Sequence, residues 1–193
     1  MDRQLITAVA EATAIRVEGV FQRHCSPDVG ELRGSPAGGR WGPPNAYSVL
    51  YLGRPTSSVI VEAYRHLVED DLDGLMRPEM VGPRNLLTCE VAVDDVLDLR
   101  DPANLQRIGL SRDALSSPTD EYAPCQRVGQ AAHQLGLRGI IANAATGLGE
   151  TLALFEEKFE PSEYPVVIAR ERWDTLPADP RRLRIVEDQP RGA

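Results

Sequence analysis

The segment AGGRWGPPNAYSVLYLG, residues 37–53, sets two glycines, an arginine, a tryptophan and two prolines ahead of a short apolar run containing a tyrosine. The run SVLYL (48–52) has the composition of a buried strand. In the turn before it, glycine lets backbone come close to a ligand and arginine offers a planar fork of donors suited to phosphate. The turn ends a longer irregular stretch, residues 25–47, that carries Gly30, Gly34, Pro36, Gly38, Gly39, Pro43 and Pro44. So long a connector without an element of its own is a candidate functional loop.

Working outward from this loop, residues 3–14 read as a short amphipathic helix with Leu5, Val9 and Ala12 on one side. VEGVFQRH, from Val17, reads as a strand that delivers Arg23 and His24 near its end. On the other side, Pro55 and Thr56 open a helix with Thr56 as N-cap, and Val59, Ile60, Ala63, Tyr64 and Leu67 follow at helical spacing. Glu62 lies beside that apolar stripe. NLLTCEVAV (85–93) and DVLDL (95–99) read as two strands, and the stretch through SRDALSSPTDEYAP (111–124) as a polar connector. PCQRVGQAAHQLG (124–136) places Cys125, Val128, Ala132 and Leu135 on one helical face, with proline at its start and Gly136 at its stop. RGIIAN (138–143) and TLALFE (151–156) read as adjacent strands joined by a glycine-containing loop. RLRIVE (182–187) reads as a last strand and DQPRGA (188–193) as a tail. The sum is an α+β domain without the regular alternation of a doubly wound fold.

With 193 residues, 42% of them hydrophobic, the chain is expected to be a single domain with its own core. No stretch approaches the roughly 20 apolar residues of a membrane helix, and the N-terminal segment carries acids unlike a signal peptide, so a cytoplasmic, membrane-free protein is expected. Cys25, Cys89 and Cys125 form no CxxC pair, and His24, His66 and His133 show no ligand spacing. Neither a metal site nor a disulfide framework is indicated. A net charge of −8 opposes a broad nucleic-acid surface, so an anionic ligand must be held by a local group of arginines.

Each candidate residue has two readings. Arg40 is either a phosphate-binding donor or a solvated surface side chain. Tyr51 is either a core tyrosine with a satisfied hydroxyl or a wall for a ligand ring. Glu62 is either a carboxylate for chemistry or the partner of Arg65 or His66 at i+3 and i+4. Trp41 suits core packing more readily than binding. The Gly-Leu-Gly at 147–149 lacks the full dinucleotide fingerprint and precedes a strand, so it carries no Rossmann reading.

Taken in order, FQRH (21–24), GGRWGPP (38–44), VLYL (49–52), VEAYRH (61–66), CQRVGQAAHQLGLRGIIANAA (125–145) and LALFE (152–156) resemble the RES domain, the toxin component of bacterial type II toxin–antitoxin systems. The resemblance runs from about Val17 to Glu156, leaving a C-terminal strand and tail over 157–193. It implies an ADP-ribosyltransferase-like fold with a split, mixed central sheet and flanking helices. It also implies NAD as a substrate, not a cofactor, cleaved at the nicotinamide N-glycosidic bond with water or phosphate as acceptor. The implied partner is an Xre-like helix-turn-helix antitoxin. Protein ADP-ribosyltransfer and nucleotide binding without turnover are the alternatives.

The family's site residues fall on Arg23, Arg40, Tyr51 and Glu62. Three positions depart from its pattern: Gln22 stands where an aromatic is usual, Gly42 where asparagine is common, and Ala144 where the family has a serine. Asn143 or Thr146 would then supply that hydrogen bond. In the implied chemistry Glu62 stabilises an oxocarbenium-like ribose, as carboxylates do in glycoside hydrolysis. Arg23 and Arg40 bind the pyrophosphate, Tyr51 stacks on nicotinamide, and Gly39 admits the dinucleotide.

Overall fold

In the computed structural model, which describes residues 2–29, 31–70 and 73–182, helix α1 (Arg3–Ala10) leads into strand β1 (Ala14–Cys25). Strand β2 (Val49–Arg54) leads into α2 (Thr56–Tyr64), which one π-helical turn prolongs over Arg65–Glu69. The long strand β3 (Arg84–Asp98) is followed by α3 (Pro102–Ile108), α4 (Arg112–Ser116) and α5 (Ala123–Gln134), then by β4 (Gly139–Asn143), β5 (Glu150–Phe155) and β6 (Val166–Trp173).

The strand pairings close a circuit. β1 runs antiparallel to β3 from Cys25↔Asn85 to Ala14↔Leu97, and it touches β2 at Gln22↔Gly53. β2 pairs antiparallel with β5, and β5 with β4. β4 returns to β3 as the parallel neighbour of Val96–Asp98, and β6 adds an antiparallel edge along the opposite end of β3. Alternation explains the circuit: one face of its five strands is apolar, and Phe21, Leu50, Leu52, Cys89, Val91, Val93, Ile141, Leu152 and Leu154 meet there with almost no exposure. Each large side chain so buried contributes roughly 1.5–3 kcal/mol.

The other face of β2, β4 and β5 is covered by helices. Leu105 and Ile108 of α3, Leu115 of α4 and Cys125, Val128 and Ala132 of α5 pack there with Trp41 and Phe155. A third cluster seats Val59, Ala63 and Tyr64 of α2 on Leu86 and Trp173. Asp98, Arg100, Glu150 and Arg54 form a chain of ion pairs that joins the ends of β3, β5 and β2. Among the described residues no helix is long and apolar enough to cross a membrane.

The α+β fold with a mixed sheet is as the sequence implies, but several element boundaries differ. Residues 85–99 form one strand and not two. Asp94 and Asp95 are a bulge, with Asp95 at φ 57° and the register shifting between Ile15 and Val17 on β1. The bulge is held by Arg16 Nη1 donating to Asp94 Oδ2 at 2.7 Å. α1 stops at Ala10, and β1 begins three residues before Val17. Thr56 is not the N-cap of α2. Pro55 occupies that place without a side-chain bond, and the Thr56 hydroxyl donates to Gln22 Oε1 at 2.7 Å.

The polar connector contains α4, and α3 precedes it. They are capped by Ser111 and Asp101, whose side chains accept from Ala114 N and Ala103 N. β6 was not expected at all. The strand expected at RLRIVE, past Arg182, and the DQPRGA tail lie outside the described residues.

Candidate active site

The end of β1, the GGRW turn, β2, the exposed side of α2 and the C-terminal end of β4 surround one cleft of about 530 Å³. Arg23, Gly39, Arg40, Tyr51, Glu62 and Asn143 all line it, whereas Thr146, the alternative to Asn143, does not.

The turn is fixed from several sides. The Trp41 N–H donates to the Tyr51 hydroxyl at 2.9 Å, the Tyr47 hydroxyl donates to the Trp41 carbonyl at 2.9 Å, and Gln126 Nε2 donates to the Gly39 carbonyl at 3.0 Å. Trp41 itself is 1% exposed and belongs to the core. A β-carbon on Gly39 would stand 2.7 Å from the Tyr51 hydroxyl, so only glycine fits between turn and strand. Burial pushes the Tyr51 hydroxyl well above its ordinary range, which keeps it protonated.

Arg40 is 9% exposed and its fork is already occupied. Nη1 donates to the Ala114 carbonyl at 2.7 Å and to Ser117 Oγ at 3.2 Å, Nη2 donates to the Ser117 carbonyl at 2.8 Å, and the guanidinium carbon sits 4.2 Å from the Tyr122 ring centroid. α4 and the residues after it therefore anchor the binding turn through Arg40.

Glu62 projects from α2, with its side chain 37% exposed. His66 Nε2 lies 2.8 Å from Glu62 Oε1, Arg65 Nη1 lies 3.6 Å from Glu62 Oε2, and His66 Nδ1 lies 3.3 Å from Asp70 Oδ2. An ionised carboxylate only accepts, so two ring nitrogens that both face carboxylates favour the imidazolium over the neutral ring. Burial alone would raise the Glu62 carboxyl, but the His66 hydrogen bond and charge, with Arg65 and Arg40, outweigh it and hold Glu62 below the usual carboxylate range. The hydrogen bond to Glu62 raises His66, against the opposing effect of burial and with further help from Asp70.

These shifts give a pH prediction with a definite sign. A histidine raised on folding contributes stability that is fully present below its unfolded value and is lost as pH rises through its folded value. His24 and His133, both lowered chiefly by burial, act in the opposite sense, since the unfolded chain takes up their protons as pH falls. The comparison of wild type with His66→Gln isolates the first effect. In urea unfolding at graded pH, wild type is expected to be the more stable at mildly acidic pH, and the gap should close as pH rises through neutrality. A gap that does not change with pH would exclude the imidazolium.

Asn143, exposed at the end of β4, also lines the cleft, and one turn before Glu62 on α2 the Ser58 hydroxyl is 3.2 Å from that of Thr146 in the β4–β5 loop. Ala144 is buried beside them and offers no hydroxyl. Near the end of β1, His24 Nδ1 accepts from Arg84 Nη2 at 3.3 Å, and Arg23 Nη1 donates to the Arg33 carbonyl at 2.6 Å. Arg84, Ser58, Tyr122 and the α4 carbonyls were not anticipated from the sequence. For His66 a signal existed: Glu62, His66 and Asp70 repeat at i+4. Among the described residues no group of three or more His, Cys, Asp or Glu is placed to hold a metal ion.

Glu62 is the only acid among the described residues that line the cleft, whereas Arg23, Arg40 and Arg84 all face it, and none of these three forms an ion pair with a described carboxylate. A mixed sheet wrapped by helices around a cleft lined by several arginines and one carboxylate defines the class of the protein, an α+β domain with a cationic cleft. The same fold occurs in the crystal structure of the M. tuberculosis MbcT–MbcA toxin–antitoxin complex, with a TM-score of 0.78 over 89% of this chain and 93% of that chain, at 24% identity. The RES domain family model matches residues 14–181, and the chain belongs to that family. Its relatives include the NAD(+) phosphorylase MbcT of Mycobacterium tuberculosis (strain ATCC 25618 / H37Rv) and that of Mycobacterium bovis. Each is 29% identical over 147 residues, covering 76% of this chain and 75% of the relative.

Proposed function

We propose that the protein is the toxin of a toxin–antitoxin pair and that it depletes NAD in the cytoplasm by cleaving the bond between nicotinamide and ribose, with phosphate as acceptor. The observation that carries this reading is the single clamped carboxylate, Glu62, in a cleft whose arginines have no acidic partner among the described residues, in a chain of net charge −8. Such a cleft attracts an anion that the rest of the protein would repel.

In this reading a phosphate group of NAD lies against Arg23, and Tyr51 supplies an aromatic wall for the nicotinamide. Arg40 holds the turn in place and adds positive charge without releasing its carbonyl partners. As the C–N bond breaks, its electron pair leaves with neutral nicotinamide and the ribose takes on oxocarbenium character. The ionised Glu62, kept in place by His66, stabilises that charge. A phosphate oxygen then bonds to the anomeric carbon, giving ADP-ribose 1″-phosphate. The relatives named NAD(+) phosphorylase favour phosphate over water. The MbcT–MbcA complex supports a cognate antitoxin as partner; in this reading the antitoxin is of the helix-turn-helix kind and covers the cleft.

The test is incubation of purified, folded protein with NAD, with and without phosphate, followed by chromatography. Nicotinamide release that depends on phosphate and yields the phosphorylated sugar is expected. Release without phosphate dependence would replace phosphorolysis with hydrolysis, and no release would remove the enzymatic reading.

A further inference from the structure

Arg84 opens β3 beside the end of β1, and its surroundings do not neutralise it. Nη2 donates to His24 Nδ1, a neutral acceptor, while Nε is buried with no hydrogen-bond partner among the described residues. Burial lowers the affinity of Arg84 for its proton; Cys25 opposes this, and neighbouring Arg23 adds to it. A buried guanidinium donor left without a partner costs free energy, and no described carboxylate offsets it. Elsewhere in this chain arginines of comparable exposure meet acids: Arg54 and Arg100 share Glu150, and Arg138 meets Glu163.

His24 adds to this pattern. Burial above all, then the charges of Arg84, His66 and Arg23, keep it neutral down to about pH 3. With Nδ1 accepting from Arg84, its proton resides on Nε2, so the imidazole is itself a fixed donor. The corner thus gathers two guanidinium groups and one imidazole N–H, without an acceptor that could satisfy them all. Glu62, the nearest acid in the cleft, is committed to His66 and Arg65.

We propose that the corner formed by Arg84, Arg23 and His24 is a subsite for a phosphate group, with the half-buried Arg84 guanidinium as its principal donor. A tetrahedral oxyanion accepts several N–H donors at once, and charge-assisted bonds of this kind are short and strong. The phosphate can come from the dinucleotide or be free inorganic phosphate. Assigning the source rests on the NAD-cleaving reading above; the anion site itself does not.

The experiment uses wild type, Arg84→Gln and Arg84→Lys, with inorganic phosphate and NAD as probes in calorimetry and thermal melts, and with KM determined for both in turnover. Arg84→Gln is expected to weaken phosphate or NAD binding tenfold or more, with kcat changed less than KM. Arg84→Lys, which keeps the charge but not the fork, should fall between and serves if the glutamine variant does not fold. A raised KM for phosphate alone assigns the corner to the acceptor, and a raised KM for NAD alone assigns it to the dinucleotide. Phosphate binding that depends on Arg84 without nicotinamide release leaves the subsite standing and removes the enzymatic reading. Nicotinamide release with both affinities unchanged in the variants does the reverse, and wild type that binds neither probe overturns the subsite outright.

Discussion

Glu62→Gln is expected to slow NAD cleavage about a hundredfold or more while leaving the fold and NAD affinity in place. The substitution keeps the shape of the side chain, and the glutamine carbonyl can still accept from His66 Nε2, so α2 and its π-helical turn lose no packing. What disappears is the negative charge, and with it two things. The oxocarbenium-like ribose loses its stabilising carboxylate, and His66 loses the partner that raises it, so the imidazolium reverts toward the ordinary histidine value. A Glu62 that served only as a half-exposed helix residue would predict otherwise: a stability change within about 0.5 kcal/mol and an unchanged rate. Single-turnover cleavage by the two proteins, at matched folding, separates these outcomes. Equal rates would remove Glu62 from the mechanism.

Where the chain is buried on one face, its pattern could be read. The inward alternation of Leu50 and Leu52 and of Leu152 and Leu154 marks strands because residues two apart share a face only in extended chain, and Val17, Phe21 and Cys25 join the same cluster from even spacings along β1. β6 escaped because it has no such face. Val166 and Ile168 are exposed, and every residue of the strand except Val167 and Trp173 faces solvent. Residues 85–93 and 95–99 read as separate strands because two adjacent acids at 94 and 95 interrupt the apolar alternation. Only the partner strand shows that they are a bulge, one that Arg16 compensates. α3 and α4 are too short to show a helical period, which leaves only end signals: the caps Asp101 and Ser111, with Pro102 and Gly109 at the two ends of α3.

At the cleft, the residues nominated from the sequence were found because motif order carries them. Their partners were hidden by distance along the chain. The carbonyls that grip Arg40 lie 74 and 77 residues downstream, and His24 and Arg84 are 60 residues apart. No local pattern predicts that a polar connector will occupy an arginine's donors, so Arg40 read from sequence alone looks free for a ligand.

Gly129→Ala is expected to destabilise the protein, against the sign that helix propensity gives. In the middle of α5 alanine should be favoured over glycine by about 1 kcal/mol. Here a β-carbon would stand 2.0 Å from the Trp41 carbonyl oxygen and 2.7 Å from the carbonyl carbon, separations that no rotamer change can relieve because both sides are main chain. Neither side yields easily. α5 is seated through Cys125, Val128, Ala131 and Ala132, all buried, and the Trp41 carbonyl is held by the Tyr47 hydroxyl while its N–H is held by Tyr51. Overpacking of this kind costs about 1–3 kcal/mol, enough to reverse the propensity gain. The turn that must give way carries Gly39 and Arg40, so NAD cleavage should fall along with stability. Arg127→Ala, at an exposed position of the same helix, provides the control and should change stability by no more than about 0.5 kcal/mol. Urea unfolding and NAD turnover of the two variants decide the matter. A Gly129→Ala protein more stable than wild type and equally active would show that α5 and the GGRW turn do not meet backbone to backbone, and that the cleft does not depend on their contact.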